Sequence, residues 1–204
     1  MLKKIILATG IGNSISKDSK IVFLTQGSKE SFSIADLKDL QHETMDYIWK
    51  DRVGFEDAYN YCVSLFDKII IELKFFLNKY HNINKSEKYY KILLWHWLLN
   101  YIFQSYDKFI TLQIAKKKYP DFKVSILGKE NFVIPIDAEQ FQFFLSNKEE
   151  YHLQLYSKMA LDLKMNTFTI NKVKLKQEYQ YVKSLNIQKF VVRFLDKLFN
   201  LVGD

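Results

Sequence analysis

An α/β fold, with a small parallel sheet interrupted by a large helical insertion, is predicted by three features of this 204-residue chain. Short β-branched runs bounded by Gly, Ser, Asp and Asn stand near the start, and a similar run, "FKVSILG", follows after the middle. Between them the apolar residues recur at three- and four-residue steps, the period of helices, and a single polar turn divides that stretch in two. The apolar share, 48%, is ample for one domain of this length and excludes wholesale disorder.

The elements follow in order. "KKIILA" (3–8) and "KIVFLT" (20–25) read as buried strands, and "MDYIW" (45–49) as a third. The loop "TGIGNSISKDS" places Gly-x-Gly directly after the first strand. A phosphate cradle of that kind opens a helix, so that N–H groups and the helix dipole face the anion. Here the next regular element reads as a strand, which weighs against a nucleotide loop.

From Phe55 to about Lys79 the residues Tyr59, Cys62, Val63, Phe66, Ile69, Ile70, Leu73, Phe76 and Leu77 mark a long amphipathic helix. "HNINKS" breaks it, and Ser86 with Glu87 opens a second helix that runs to about Tyr119, before Pro120. A short polar turn between two long helices packs them antiparallel. In the second helix Tyr89, Ile92, Leu93, Leu99, Phe103 and Tyr106 are expected to face the first helix and the sheet. "NFVIPID" reads as a strand or extended segment limited by Pro135, and shorter helices are expected near 137–146 and 148–164, Asn147 capping the latter.

Beyond Met165 the composition shifts, which sets domain limits at 1–165 and 166–204. From Lys164 onward eight basic side chains face three acidic ones, against a net charge of +7 for the whole chain. "IQKFVVRFLDKLFNLV" (187–202) is a basic amphipathic helix by pattern. Such a helix docks on its own domain or lies on an anionic membrane surface.

Several chemistries are disfavoured. Arg52 and Arg193 are the only arginines, so the planar fork that reads bases is scarce and specific nucleic-acid recognition is not expected. No run reaches the roughly 18 apolar residues of a membrane span. The N-terminal apolar run is broken by Gly10 and Gly12 and reads as a strand rather than a signal peptide. Cys62, the one cysteine, has no partner for a disulfide and sits in an apolar helix, the setting of a buried structural thiol. His42, His81, His96 and His152 are scattered without metal-ligand spacing, and no metal or cofactor is expected. Lys88, Lys91, Trp95, Gln104 and Lys108 form a polar edge on the second long helix, suited either to a sugar or phosphate or simply to water.

Four motifs in order carry a resemblance: "KKIILATG" with "IVFLTQGS", "YIWKDR" (47–52), "NKYHNINKSEKYYKILLWHWLLNYIFQSYDKF", and "EYHLQLYSKM" (150–159). Together they resemble the N-terminal portion of a bacterial family of surface-polysaccharide transferases first named from Leptospira O-antigen clusters. Polar and aromatic positions that match are Trp49, Asp51, Arg52, His81, Asn84, Ser86, Tyr89, Trp97, Asp107, Tyr156 and Ser157. Lys88, Lys91 and Lys108 stand where the family carries arginine, Trp95-His96 replaces its Gly-Pro, and Ile48 replaces a histidine.

The resemblance implies the N-terminal, acceptor-side lobe of a two-lobed glycosyltransferase in O-antigen or surface-polysaccharide assembly. Members of that family are longer, so the chain is expected to be incomplete alone, the nucleotide-sugar donor sitting on a C-terminal lobe. The acceptor would be a polysaccharide or lipid-linked glycan, and the location cytoplasmic, leaning on the inner membrane through the basic tail. Asp51, and after it His81, are the candidate bases that would deprotonate an acceptor hydroxyl. Arg52, Lys88 and Lys91 would hold phosphate, Trp97 or Tyr89 would stack on sugar, and Trp49, Asn84 and Ser86 would complete the substrate site. This assignment requires residues 49–52 and 81–91 to converge in one cleft. The rival expectation is a noncatalytic module binding a partner subunit or an anionic membrane.

Overall fold

A computed structural model describes residues 3–11 and 16–170. Five parallel strands form one sheet in the order β3-β2-β1-β4-β5: β1 (Lys3–Leu7), β2 (Ser19–Phe23), β3 (Gln41–Thr44), β4 (Lys123–Leu127) and β5 (Thr167–Ile170). The register runs Lys3 opposite Ser19 through Leu7 opposite Phe23, and Ile5 opposite Lys123 on the other side of β1. Central parallel strands are covered on both faces, which is why β1 and β2 are nearly continuous apolar runs. Ile6, Val22 and Val124 turn to one face, Leu7, Ile21 and Phe23 to the other.

The second face is covered by Phe32, Leu37 and Leu40, carried by the short helices α1 (Gln26–Glu30) and α2 (Ile34–Lys38) and the turns after them. Thr25 and Ser33 start these helices with reciprocal capping boxes. The first face packs against the last third of α4 (Glu87–Lys118), through Phe109, Leu112 and Ala115, and against α6 (Glu149–Asp162), through Leu153, Tyr156, Met159 and Ala160.

The helical insertion is α3 (Arg52–His81) and α4, of 30 and 32 residues. Asp51 caps α3, accepting from the N–H groups of Val53 and Gly54; Ser86 caps α4. Asn82 ends α3 with φ 51°, the left-handed conformation asparagine tolerates. Asn78 clamps the turn: its Nδ2 donates to the Lys85 carbonyl at 3.0 Å, its Oδ1 accepts from Lys85 N–H at 2.9 Å and from the Tyr90 hydroxyl at 2.8 Å. The two helices share a core of their own, including Cys62, Phe66, Ile70, Tyr90, Leu98 and Ile102, and no α3 residue belongs to the sheet core. The insertion is therefore an arm.

Several expectations are corrected. The third strand is Gln41–Thr44 rather than 45–49: an edge strand pairs on one side only and needs no apolar run, and the chain leaves the sheet at Met45, whose N–H still donates to the Phe23 carbonyl at 2.8 Å. Of the two readings of "NFVIPID" (131–137), strand or extended segment, the strand falls away. There the Gln154 side chain replaces a neighbouring strand, accepting from Val133 N–H at 2.7 Å and donating to its carbonyl at 2.8 Å. The predicted stripe of α4 holds in part: Leu99 is buried and Phe103 and Tyr106 pack on the α3–α4 core, but Tyr89, Ile92 and Leu93 are exposed, and Tyr90, Leu98 and Ile102 are buried in their place. Asn147 closes α5 (Ala138–Asn147) and does not cap α6. β5, within the segment assigned to the tail, pairs with β4 from Thr167 to Ile170. The amphipathic segment 187–202 lies outside the described residues.

The required convergence is also corrected. Asp51 and His81 lie at opposite ends of α3, and a 30-residue helix is about 45 Å long. Residues 49–52 and 81–91 do not share a cleft.

Candidate functional site

In an open parallel sheet, ligands bind outside the carboxyl ends of the strands where the order reverses. Here the chain proceeds from β1 outward to β3, then crosses to β4 on the opposite side of β1. The switch point is the edge formed by the ends of β1 and β4. Three elements bring side chains there: the β3–α3 connection, the middle of α4 and the first two turns of α6.

The β3–α3 connection delivers Trp49, whose indole N–H donates to Asp107 Oδ1 at 2.7 Å. Trp49 is fixed from the side by Tyr106, stacked at 6.3 Å, and by Phe55, edge-on at 6.3 Å. The other oxygen of Asp107 accepts from Lys108 Nζ at 2.8 Å, which also donates to Gln104 Oε1 at 3.0 Å. The Lys108 side chain is 9% exposed and that of Asp107 33%, so a nearly buried cation is balanced by a carboxylate that reaches solvent. Lys108 Nζ also lies 5.6 Å from the centre of the buried Tyr156 ring. Burial, reinforced by the Asp107 charge, holds the Tyr156 phenol well above its ordinary range, so it stays protonated.

α6 supplies Glu149, His152 and Tyr156 at intervals of three and four, hence along one face. His152 Nε2 lies 2.8 Å from the Leu145 carbonyl. A carbonyl only accepts, so Nε2 carries the proton and Nδ1 keeps the lone pair. Burial, and then the Lys108 charge, push the His152 pKa below its ordinary value against the opposing pull of the Leu145 bond, Asp107 and Glu149. The imidazole is neutral at pH 7. Glu149 Oε1 accepts from the backbone N–H of Gly10 at 2.7 Å and lies 3.2 Å from Ser31 Oγ, joining α6 to the loop after β1.

Taken together, an indole, a phenol, a carboxylate, a buried ammonium and a neutral imidazole with a free lone pair meet at the switch point. Such a set can hold polyhydroxylated molecules, carboxylate and imidazole accepting hydrogen bonds from hydroxyls beside aromatic surface, and the imidazole provides a base. Among the described residues, no group of three or more His, Cys, Asp or Glu could hold a metal ion. Cys62 is buried between α3 and α4, and burial pushes its thiol up to about 12, which removes it as a nucleophile at neutral pH.

Of the sequence-predicted residues, Trp49 lies in this cluster. Asp51 is engaged as the α3 cap, and Arg52 beside it is exposed and pairs with Glu56 at 2.8 Å. Trp97 packs inside the α4–α5 contact, against Tyr101 and Phe141. His81, Asn84, Ser86, Lys88 and Tyr89 stand at the far tip of the arm; Lys91, nearby, pairs with Asp67 at 2.7 Å and Glu87 at 3.1 Å.

His152 and Glu149 were not among the predicted site residues, and Lys108 stood only in the polar edge suited either to a sugar or phosphate or to water. The readable signal was the spacing 104-108-111 on α4 and 149-152-156 on α6, each a single helical face that carries polar groups on an otherwise apolar segment. The sequence profile of a family described as LIC12162 family transferase matches residues 4–202. No curated protein and no solved structure matches the chain significantly.

Proposed function

The chain belongs to the LIC12162 family of transferases, and from that premise we propose that the switch-point cluster receives the acceptor of a glycosyl transfer. In this reading the chain is the acceptor-side part of a glycosyltransferase of bacterial surface-polysaccharide or O-antigen assembly. The donor is a nucleotide sugar and the acceptor a polysaccharide or lipid-linked glycan. The observation that carries it is the neutral His152, held by the Leu145 carbonyl with Nδ1 free, beside the Trp49–Asp107–Lys108 chain.

Nδ1 takes the proton of the attacking hydroxyl as its oxygen bonds to the anomeric carbon of the donor, while the bond from that carbon to the nucleotide's phosphate oxygen breaks and the nucleotide leaves with the electron pair. The imidazolium so created is stabilised by the Asp107 and Glu149 carboxylates. Trp49 and Asp107 position the sugar through ring contact and hydroxyl bonds. Asp51 and His81 stand as alternative bases, and Arg52, Lys88 and Lys91 as alternative phosphate contacts, in the same assay. That assay offers a panel of nucleotide sugars and lipid-linked glycans to the chain together with the donor-binding lobe and follows product by mass spectrometry. H152Q is expected to lower transfer by about 10²-fold or more, the usual worth of a general base. Equal turnover by H152Q, with loss in D51N or H81Q, reassigns the base.

A second reading, attachment to an anionic membrane, is supported by the tip of the arm. Ile92 is 74% and Leu93 60% exposed there, beside Ile83, Tyr80 and Tyr89 and the basic Lys79, Lys85 and Lys88. Interfacial anchoring combines such apolar and cationic groups. Among the described residues no helix is long and apolar enough to cross a membrane. Co-sedimentation with phosphatidylserine vesicles tests it: I92E/L93E abolishes binding if the tip is the anchor, and leaves it unchanged if it is not.

A further inference from the structure

The glycine loop after β1 plays no part in the acceptor reading. We infer that the Gly10 N–H and the Ser31 hydroxyl form a cradle for a phosphate oxygen, and that the Glu149 carboxylate fills it until a phosphate-bearing ligand takes its place.

The geometry is that of an oxyanion site. Two donors from different elements, the loop after β1 and the link between α1 and α2, reach one oxygen, Glu149 Oε1, at 2.7 and 3.2 Å, the Ser31 hydroxyl having the Gly27 carbonyl at 3.3 Å as its other acceptor. That oxygen comes from a third element, 139 residues away from Gly10. A Cβ at Gly10 would collide with Ser31 Cβ, so only a bare backbone lets the two donors meet. Because the backbone N–H can only donate, whatever occupies this position presents an acceptor, and a charged oxygen bonds more strongly there than a neutral one.

The place is the carboxyl end of the first strand, at the strand-order switch, where α/β sheets receive ligands. A plain structural tie between α6 and the loop would also bond Gly10. It differs in its response to charge: a tie is indifferent to phosphate, whereas a stand-in anion repels and competes with it.

The probe is inorganic pyrophosphate, titrated into the full chain while the Gly10 amide is followed by ¹⁵N NMR, with malonate as a carboxylate control. Glu149→Gln keeps an Oε1 that accepts from Gly10, so the tie between elements survives while the competing charge is gone. Pyrophosphate is expected to move the Gly10 amide in the native chain and to bind E149Q about tenfold tighter or more, since a like charge no longer competes for the same donors. Equal affinity in the two proteins, or an equal gain for malonate, overturns the proposal. So does a Gly10 amide unmoved in the native chain at about 20 mM pyrophosphate, a limit weaker than millimolar binding; this arm decides the matter if E149Q does not fold. Failure here leaves the acceptor reading standing, because that reading depends on Trp49, Asp107 and His152.

Discussion

Replacing Asp107 by Ala tests whether the switch-point cluster is held by charge. The substitution leaves the Lys108 ammonium, 9% exposed, with Gln104 as its remaining hydrogen-bond partner, and leaves the Trp49 N–H without its acceptor. Stripping the partner from a fully buried pair costs about 3–5 kcal/mol. Asp107 is one-third exposed, so water can enter where its carboxylate stood and relieve part of that cost. The Trp49 bond adds about 1 kcal/mol.

The expected loss is therefore about 3 kcal/mol, which for a chain of this size lowers Tm by roughly 6–12 °C. Lys108→Met should cost less, about 1–2 kcal/mol, because the Asp107 carboxylate keeps both Trp49 and solvent. The double variant D107A/K108M should recover much of the D107A loss, as an uncompensated cation is no longer buried. Urea unfolding of the three variants, followed by circular dichroism, measures the cycle. A D107A loss below about 1 kcal/mol, the range of surface ion pairs, or a double variant as unstable as D107A, would refute the argument.

Other expectations follow from single contacts. Ser157→Ala removes the fully buried hydroxyl that accepts from Leu127 N–H at 2.8 Å, and should cost about 1–3 kcal/mol in urea unfolding, the desolvation cost of a buried unpaired donor. Asn78→Ala breaks the three bonds of the arm's turn and should speed amide exchange at residues 82–86 without altering exchange in β1 and β4. His152 has a folded pKa below its unfolded one, so the unfolded chain binds the extra proton first as pH falls below about 6.5. Stability should fall between the unfolded and folded values, and His152→Gln should flatten that part of the stability–pH curve. Iodoacetamide at pH 8 should leave native Cys62 unmodified and alkylate it promptly in urea, since burial holds the thiol protonated.

The helices from α3 onward were legible because their evidence is local; α1 and α2, of five residues each, were not read from the sequence. Asp51, Ser86 and Asn82 are capping and turn residues whose effect reaches three or four positions, and the 3.6-residue period of α3 is written in consecutive residues. β1, β2 and β4 were legible for the related reason that central parallel strands must be apolar throughout. The edge strands β3 and β5 were not, because "QHET" and "TFTI" gain their hydrogen bonds from one neighbour and carry little apolar pattern of their own. The apolar stripe of α4 was only partly legible, for a different reason. The helix meets α3 on its first two-thirds and the sheet on the last, so no single stripe runs its length.

By itself, then, the order of residues determined the long helices, the caps of α3 and α4, the central strands and the transferase kinship. Tertiary structure alone decided which of them meet. Asp51 and His81 are closer in sequence than Trp49 and Asp107, yet the rigid helix between the first pair keeps them about 45 Å apart. The second pair is hydrogen-bonded because the chain doubles back at Asn82. A helix fixes separation along its own axis, whereas contact across the fold depends on how many times the chain reverses. That is why His152, an unremarkable residue in the sequence, ends beside Lys108.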